Sequence, residues 1–258
     1  AGRGNFGHGL DTMWASVEGV KVVAVSDPGA GANGADVKRF PQAKAYVDYQ
    51  TMLGEVKPDI VAVGPRHVDQ HHAMVLAASK AGARGVYMEK PFVRSLLEAD
   101  ELVAECRRTG MRLAVAHRNR YHPAVPVALR MLNEGKFGKL IEIRCRGKED
   151  ARGGALDLWV LGSHVLNLAT VFAGKPIACS AGVFVDGQPV TREHVKDGDE
   201  GIGPMAGTEV HARFEMESGV PLFFDSVKNF GDKNAGFGVQ LICGEAVLDL
   251  RMDAEPLV

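Results

Sequence analysis

The chain has 258 residues, a formal net charge of −2 and an apolar fraction of 46%. That length suits one large or two ordinary domains, and that apolar fraction supports a sizeable core. The charges are mixed, which argues against a nucleic-acid surface or a polybasic membrane patch, and no apolar run is long enough to span a bilayer. The chain opens on Gly2-Arg3-Gly4-Asn5-Phe6-Gly7, which fits G-x-G-x-x-G. In that pattern the first glycine permits a tight turn, the second admits a pyrophosphate to the backbone, and the third allows close helix packing. Leu10 to Glu18 reads as a short helix whose N-terminal amides would face the phosphates. Lys21-Val22-Val23-Ala24-Val25-Ser26 reads as a buried parallel strand. It ends at Asp27, where an acidic side chain accepts hydrogen bonds from a ribose 2′-hydroxyl and repels a 2′-phosphate. This favours NAD over NADP. The strand that should precede Gly2 is absent, which suggests that native N-terminal residues are missing.

Gly29 to Gly34 reads as a glycine-rich loop, Ala35 to Phe40 as a short helix, and Ala45 to Val47 as a short strand. Asp48-Tyr49 leads into a helical turn through Leu53. Ile60 to Val63 is a strand ending at Gly64-Pro65, and Gln70 to Ala81 is a helix closed by Gly82. Gly85 to Met88 is a strand that runs into Glu89-Lys90-Pro91. The ring of Pro91 bars Lys90 from the α region. Strand ends are where open α/β sheets bind ligands, so a lysine and a carboxylate are aimed there on constrained backbone. Ser95 caps a helix from Leu96 to Thr109, with Glu98 at the capping-box position and Gly110 as the stop. Arg112 to Ala116 is the next strand. Alternating strands and helices imply a doubly wound parallel sheet.

After Pro123 the pattern changes. Ala124 to Asn133 is a helix, Leu140 to Arg146 a half-buried strand, and Leu156 to Ala173 one helix. Strands follow at Cys179 to Val185, Glu209 to Glu215, Pro221 to Val227, Gly238 to Cys243 and Ala246 to Arg251. A run of strands without helices implies an antiparallel sheet. Gln188 to Gly207 is polar and glycine-rich and reads as a long loop. The fold class is therefore α/β, with a Rossmann domain over 1–122 and an α+β domain with an open antiparallel sheet over 123–258. Asp253 to Val258 follows a strand without a closing element, so C-terminal residues are expected to be missing too. The four cysteines (Cys106, Cys145, Cys179 and Cys243) lack a C-x-x-C pair and read as free buried thiols, which favours the cytoplasm. An N-terminus out of view leaves export open.

Several segments occur together: the glycine fingerprint ahead of Asp27, Asp48 to Leu53 ahead of Lys57-Pro58-Asp59, and Gly64-Pro65-Arg66-His67 leading to His71. Glu89-Lys90-Pro91, Asn119-Arg120-Tyr121-His122-Pro123 and Gly162-Ser163-His164 complete the set. Together these resemble the Gfo/Idh/MocA oxidoreductases, the glucose–fructose oxidoreductase and inositol dehydrogenase family. The resemblance covers nearly the whole chain, most firmly residues 1 to 176. It implies NAD(P) across the first domain, a sugar or polyol-like substrate between the domains, and a sheet that mediates homo-oligomer contacts. It implies that Lys90 and His164 flank the reacting hydroxyl, that Glu89 lies near the nicotinamide ribose, and that Pro65, Arg66 and His67 line the cofactor.

Alcohol oxidation removes a hydride and a proton. NAD accepts the hydride, a neutral histidine suits the proton, and a lysine polarises the oxygen. His164 is thus read as base or relay and Lys90 as its electrostatic partner, against the plainer reading of His164 as a core histidine. The family usually carries an aspartate one turn before this histidine and another three residues after it. Here those positions are Val160 and Asn167. Asp157, seven residues before His164 on nearly the same face of one helix, lies roughly 10 Å along the axis. It touches the far end of a substrate or caps the helix. Glu149, Asp150 and Arg152 form a charged loop that either binds substrate hydroxyls or is simply solvated. Arg120 with Tyr121 contacts cofactor or substrate, or packs between domains. His67, Asp69, His71 and His72 invite a metal, but the cofactor explains the segment better and no metal is expected. Retained NAD serving elimination or glycoside cleavage is the alternative within the family. A non-catalytic nucleotide-binding sensor is the alternative outside it.

Overall fold

The computed structural model describes residues 10, 13–28, 40–230 and 236–252. The glycine fingerprint, the Gly29 to Gly34 loop and nearly all of the expected helix up to Phe40 lie outside them. Two units divide the chain: Ala1–Ala116 with Glu200–Ile202, and His117–Asp199 with Gly203–Val258.

In the first unit, β1 (Ala24–Ser26) pairs in parallel with β2 (Lys44–Tyr46). β3 (Ile60–Val63), β4 (Gly85–Met88) and β5 (Arg112–Val115) form a second parallel sheet in that order. Among the described residues no strand joins the two. β1 is shorter and less buried than its sequence suggests, because Val23 is left outside it and exposed. The expected first helix is a single 3-10 turn, Met13–Ser16.

The helices begin and end where their caps are written. α1 (Tyr49–Val56) starts at Asp48, whose carboxylate accepts the Thr51 N–H at 2.6 Å. α2 spans His71–Lys80. α3 (Leu96–Thr109) starts at Ser95, whose hydroxyl accepts the Glu98 N–H, and ends at Gly110 in the left-handed region. The Glu98 carboxylate reaches back to the Arg94 N–H and guanidinium, one residue beyond the usual capping-box target. Val61 and Val63 of β3 and Val86 and Met88 of β4 pack with Leu53, Val75, Ala78 and Leu102 into one core.

In the second unit, α4 (Ala124–Asn133) precedes β6 (Leu140–Arg146). The expected single helix is two. α5 (Ala155–Val160) and α6 (Gly162–Ala173) are broken at Leu161. A Cβ on Gly162 would fall 2.9 Å from the Phe224 ring, so this glycine lets α6 start close against the sheet. Then come β7 (Pro176–Val185) and β8 (Gln188–Pro189). The expected long loop contains a small hairpin, β9 (Lys196–Asp197) with β10 (Pro204–Met205). β11 (Glu209–Met216), β12 (Leu222–Val227), β13 (Gly238–Cys243) and β14 (Val247–Arg251) complete the set.

Seven strands form one sheet in the order β14-β13-β6-β12-β11-β7-β8. Its neighbours are antiparallel except β6 and β12, which run parallel with Leu222 opposite Ile143. One face alternates Leu222, Phe224, Leu241, Leu248 and Leu250 inward, against Val165, Leu168 and Phe172 of α6. All four cysteines are free, as expected, but Cys179 on β7 is exposed rather than buried.

Candidate active site

The carboxyl ends of β3 and β4 carry the first group of candidates. The Glu89 N–H donates to the Val63 carbonyl at 2.8 Å, which extends the ladder past the end of β4. Glu89 and Lys90 therefore leave the sheet beside Gly64-Pro65. Both are buried, at 2% and 7% exposure, and the Lys90 N–H lies 3.1 Å from the Glu89 carboxylate. The Lys90–Pro91 bond is cis. Among the described residues, no atom lies within 4 Å of where a Cβ on Gly64 would sit, its chain neighbours aside. A strand end with a lysine, a glutamate and the nearby Arg66 suits a dinucleotide.

His71 holds this corner together. It is fully buried, with Nε2 2.8 Å from the Pro65 carbonyl and Nδ1 2.8 Å from the Pro91 carbonyl. A neutral ring donates one N–H, and which carbonyl receives it depends on the tautomer. Either way the ring sits between the segment after β3 and the segment after Lys90. From the sequence His71 is part of the motif after Gly64-Pro65-Arg66-His67 and of a metal-inviting cluster, and neither pattern shows its use as a brace. Its i+4 spacing from His67 does not describe one helix face, because α2 begins at His71 and a 3-10 turn, Val68–Gln70, comes before it. Among the described residues no group of three or more His, Cys, Asp or Glu side chains is arranged to hold a metal. Asp27 lies just past β1, and its N–H donates to the Tyr46 carbonyl at 3.0 Å.

The second group lies in the other unit. His164 sits on the first turn of α6 at 7% exposure. The ring of His117 stands edge-on to it, with centroids 5.7 Å apart and planes at 87°. His117 drew no notice in the sequence, since nothing local marks a histidine just past a strand. Arg120 places Nη1 3.4 Å from both Asn167 Oδ1 and Thr170 Oγ1 of α6, while Tyr121 is exposed.

Asp157 differs most from its sequence reading. The break at Leu161 puts it on a different helix from His164, so the single-axis separation does not apply. Its side chain is fully buried, and Oδ2 accepts from Ser226 Oγ at 2.6 Å and from the Glu149 N–H at 3.0 Å. Oδ1 has no hydrogen-bond partner among the described residues. Burial pushes this carboxyl above its ordinary range, only partly offset by those two donors. The group does not cap α5, which starts from Gly154. It pins the 147–154 loop to β12.

Glu149 is likewise inside rather than solvated. It is buried and accepts from Arg146 Nε at 2.6 Å and from the Val227 N–H at 2.8 Å. Asp150 pairs with Arg152, whose guanidinium holds its carboxyl below the ordinary range.

Residues 1–117 match the model of an oxidoreductase family, GFO_IDH_MocA, described by its NAD-binding Rossmann fold. That match covers under half of the chain, and it makes this segment similar to the Rossmann domain of the Gfo/Idh/MocA oxidoreductases. It is 29% identical over 137 residues to D-apiose dehydrogenase of Paraburkholderia graminis, covering 53% of this chain and 36% of that protein. It is 28% identical over 204 residues to an alpha-N-acetylgalactosaminidase of Tannerella forsythia, covering 74% of this chain and 42% of that protein. These alignments span well under two thirds of the curated relatives. The crystal structure of myo-inositol 2-dehydrogenase from Lactobacillus plantarum superposes with a TM-score of 0.72 at 18% identity, covering 96% of this chain and 73% of that one. That likeness establishes the fold. The two positions around His164 at which the resemblance implies aspartates hold Val160, buried at the end of α5, and Asn167, which faces Arg120.

Proposed function

We propose that this protein is an NAD-dependent oxidoreductase acting on a CH–OH group of a sugar, polyol or related cyclic alcohol. The observation that carries the proposal is the buried Glu89-Lys90 pair leaving β4 beside the end of β3. Pro65, Arg66, His67, Glu89 and Lys90 would hold the dinucleotide there, with Asp27 on the adenosine ribose and Gly2, Gly4, Asn5, Phe6 and Gly7 on the pyrophosphate. Bound nicotinamide supplies the hydride acceptor.

Lys90 donates to the substrate oxygen and stabilises alkoxide character as it develops. His164 takes the hydroxyl proton and passes it on. Arg120 orients the substrate from its place against α6. Asp157 has a structural use through Oδ2, which accepts from Ser226 and Glu149, and we leave it out of the proposed chemistry. The acidic Asp27 favours NAD over NADP. A screen of sugars and polyols with NAD and with NADP, read by absorbance of the reduced nicotinamide, tests this. Absence of both turnover and dinucleotide binding across the panel would sink it.

A second reading has support of its own. The likeness to the alpha-N-acetylgalactosaminidase covers 74% of this chain. Transient oxidation with retained NAD would then activate a substrate for elimination or glycoside cleavage. Product formed without added NAD, and without accumulating NADH, selects this reading over the first. For either chemistry we place the protein in the cytoplasm as a homo-oligomer built through the seven-stranded sheet. Gel filtration tests the assembly.

A further inference from the structure

The segment after β3 has a second partner. The β9–β10 hairpin closes with a hydrogen bond of 2.9 Å from the Gly198 N–H to the Gly203 carbonyl. Its tip, Glu200–Ile202, clusters with the first unit although its sequence neighbours belong to the second. Three observations fix that tip on the Arg66–Asp69 segment. The Arg66 guanidinium pairs with the Glu200 carboxylate. The Val68 N–H donates to the Glu200 carbonyl at 3.0 Å. A Cβ on Gly201 would fall 2.5 Å from Asp69 Oδ1, so only glycine sits this close at φ +75°.

Glu200 is 2% exposed and itself adopts φ +61°, which a glutamate takes only when its surroundings enforce it. A buried carboxylate meeting a guanidinium fixes a geometry as well as a charge. Arg66 lies two residues beyond Gly64, just past the end of β3. Its orientation is thus set from outside its own strand and loop.

We infer that Glu200 is a positioning residue for dinucleotide binding, acting through Arg66 and through the backbone of Val68. This rests on the proposed function and deepens it. A carboxylate far along the sequence holds the loop that the cofactor meets. If Glu200 served only the packing of its own hairpin, its loss would lower stability and leave cofactor affinity alone.

The test is titration of the intact protein with NADH, read by nucleotide fluorescence, alongside thermal unfolding. Glu200→Gln keeps the shape and removes the charge. Its NADH Kd is expected to rise about tenfold, the scale of one charge-assisted hydrogen bond. Glu200→Asp keeps the charge and is expected to bind within about threefold of wild type. Gly201→Ala displaces the tip without touching the carboxylate, and it is expected to weaken NADH as Glu200→Gln does. It serves in place of Glu200→Gln if that variant does not fold. Unchanged Kd in a folded Glu200→Gln or Gly201→Ala protein, with or without a lowered melting temperature, overturns the inference and leaves the proposed function standing. Failure of the wild type to bind NADH overturns both.

Discussion

Asp157→Asn isolates one buried ionisation. The wild-type carboxyl is fully buried, takes two hydrogen bonds on Oδ2, and has its affinity for a proton raised by burial. Because the folded state binds that proton more tightly than the unfolded chain, the sign is fixed. The contribution to stability is greatest below the ordinary carboxylate range and is lost as pH rises through the raised value. An asparagine carbonyl accepts the same two hydrogen bonds and does not titrate. Wild type should therefore lose stability relative to Asp157→Asn as pH rises above about 4, at up to ~1.4 kcal/mol per pH unit until the raised value is passed. Asp157→Ala is a different perturbation. It orphans the Glu149 N–H and the Ser226 hydroxyl, at about 1–3 kcal/mol each, and is destabilising at every pH. Trp159 on α5 reports on this region, and Trp14→Phe removes the chain's other tryptophan. Urea unfolding followed by that fluorescence between pH 4 and 8 gives the difference directly. A wild-type minus Asp157→Asn difference that stays flat across this range would refute the assignment of a buried, proton-retaining carboxyl.

Lys90→Met should lower turnover by about 10²–10⁴-fold with little change in melting temperature, measured by nicotinamide absorbance on whichever alcohol the screen yields. Gly153→Ala would put a Cβ 2.5 Å from the Lys228 backbone nitrogen and 2.6 Å from the Val227 carbonyl oxygen. It should cost about 3 kcal/mol or abolish folding, whereas Gly54→Ala on α1, where a Cβ meets nothing within 4 Å, should gain about 0.5–1 kcal/mol. Urea midpoints separate the two. A thiol reagent should modify Cys179 first in the native protein, while Cys145 and Cys243 react only on unfolding, since they are buried and burial raises both thiols. Comparable native rates at Cys145 and Cys179 would contradict the placement of β6 in the core.

Sequence carried the local rules well and the tertiary ones poorly. The helix from Leu96 to Thr109 was legible to the residue because Ser95 and Gly110 are written as its caps. The strands Ile60–Val63, Gly85–Met88, Leu140–Arg146 and Gly238–Cys243 were legible because apolar runs or alternation stop at glycine, lysine or charge. The break at Leu161 was not. Leu156 to Ala173 is apolar almost throughout, so periodicity has no contrast there, and the close approach of Phe224 to Gly162 comes from a strand distant in sequence. The parallel β6–β12 pair was hidden for a similar reason, since its partners are remote in the chain. Asp157 looked like a helix-start aspartate because the partner that buries it, Ser226, lies 69 residues on. Glu200 sat in a polar, glycine-rich stretch whose composition says loop and cannot say what the loop docks against.

These misses change the reading of the histidine. Had the helix been continuous, Asp157 could have been counted as a distant substitute for the family's usual acid. The structure assigns it to the 147–154 loop instead, and Asn167 to Arg120. On its own unit the ring of His117 stands edge-on to His164 and bears on the plane of that ring. A carboxylate beside a histidine favours its protonated form, whereas a neighbouring ring chiefly fixes its orientation. For proton abstraction from an alcohol the neutral ring is the useful state, so the exchange of the expected aspartates for Val160 and Asn167 is compatible with base chemistry. The same exchange is compatible with the retained-NAD reading, in which the proton returns to the substrate.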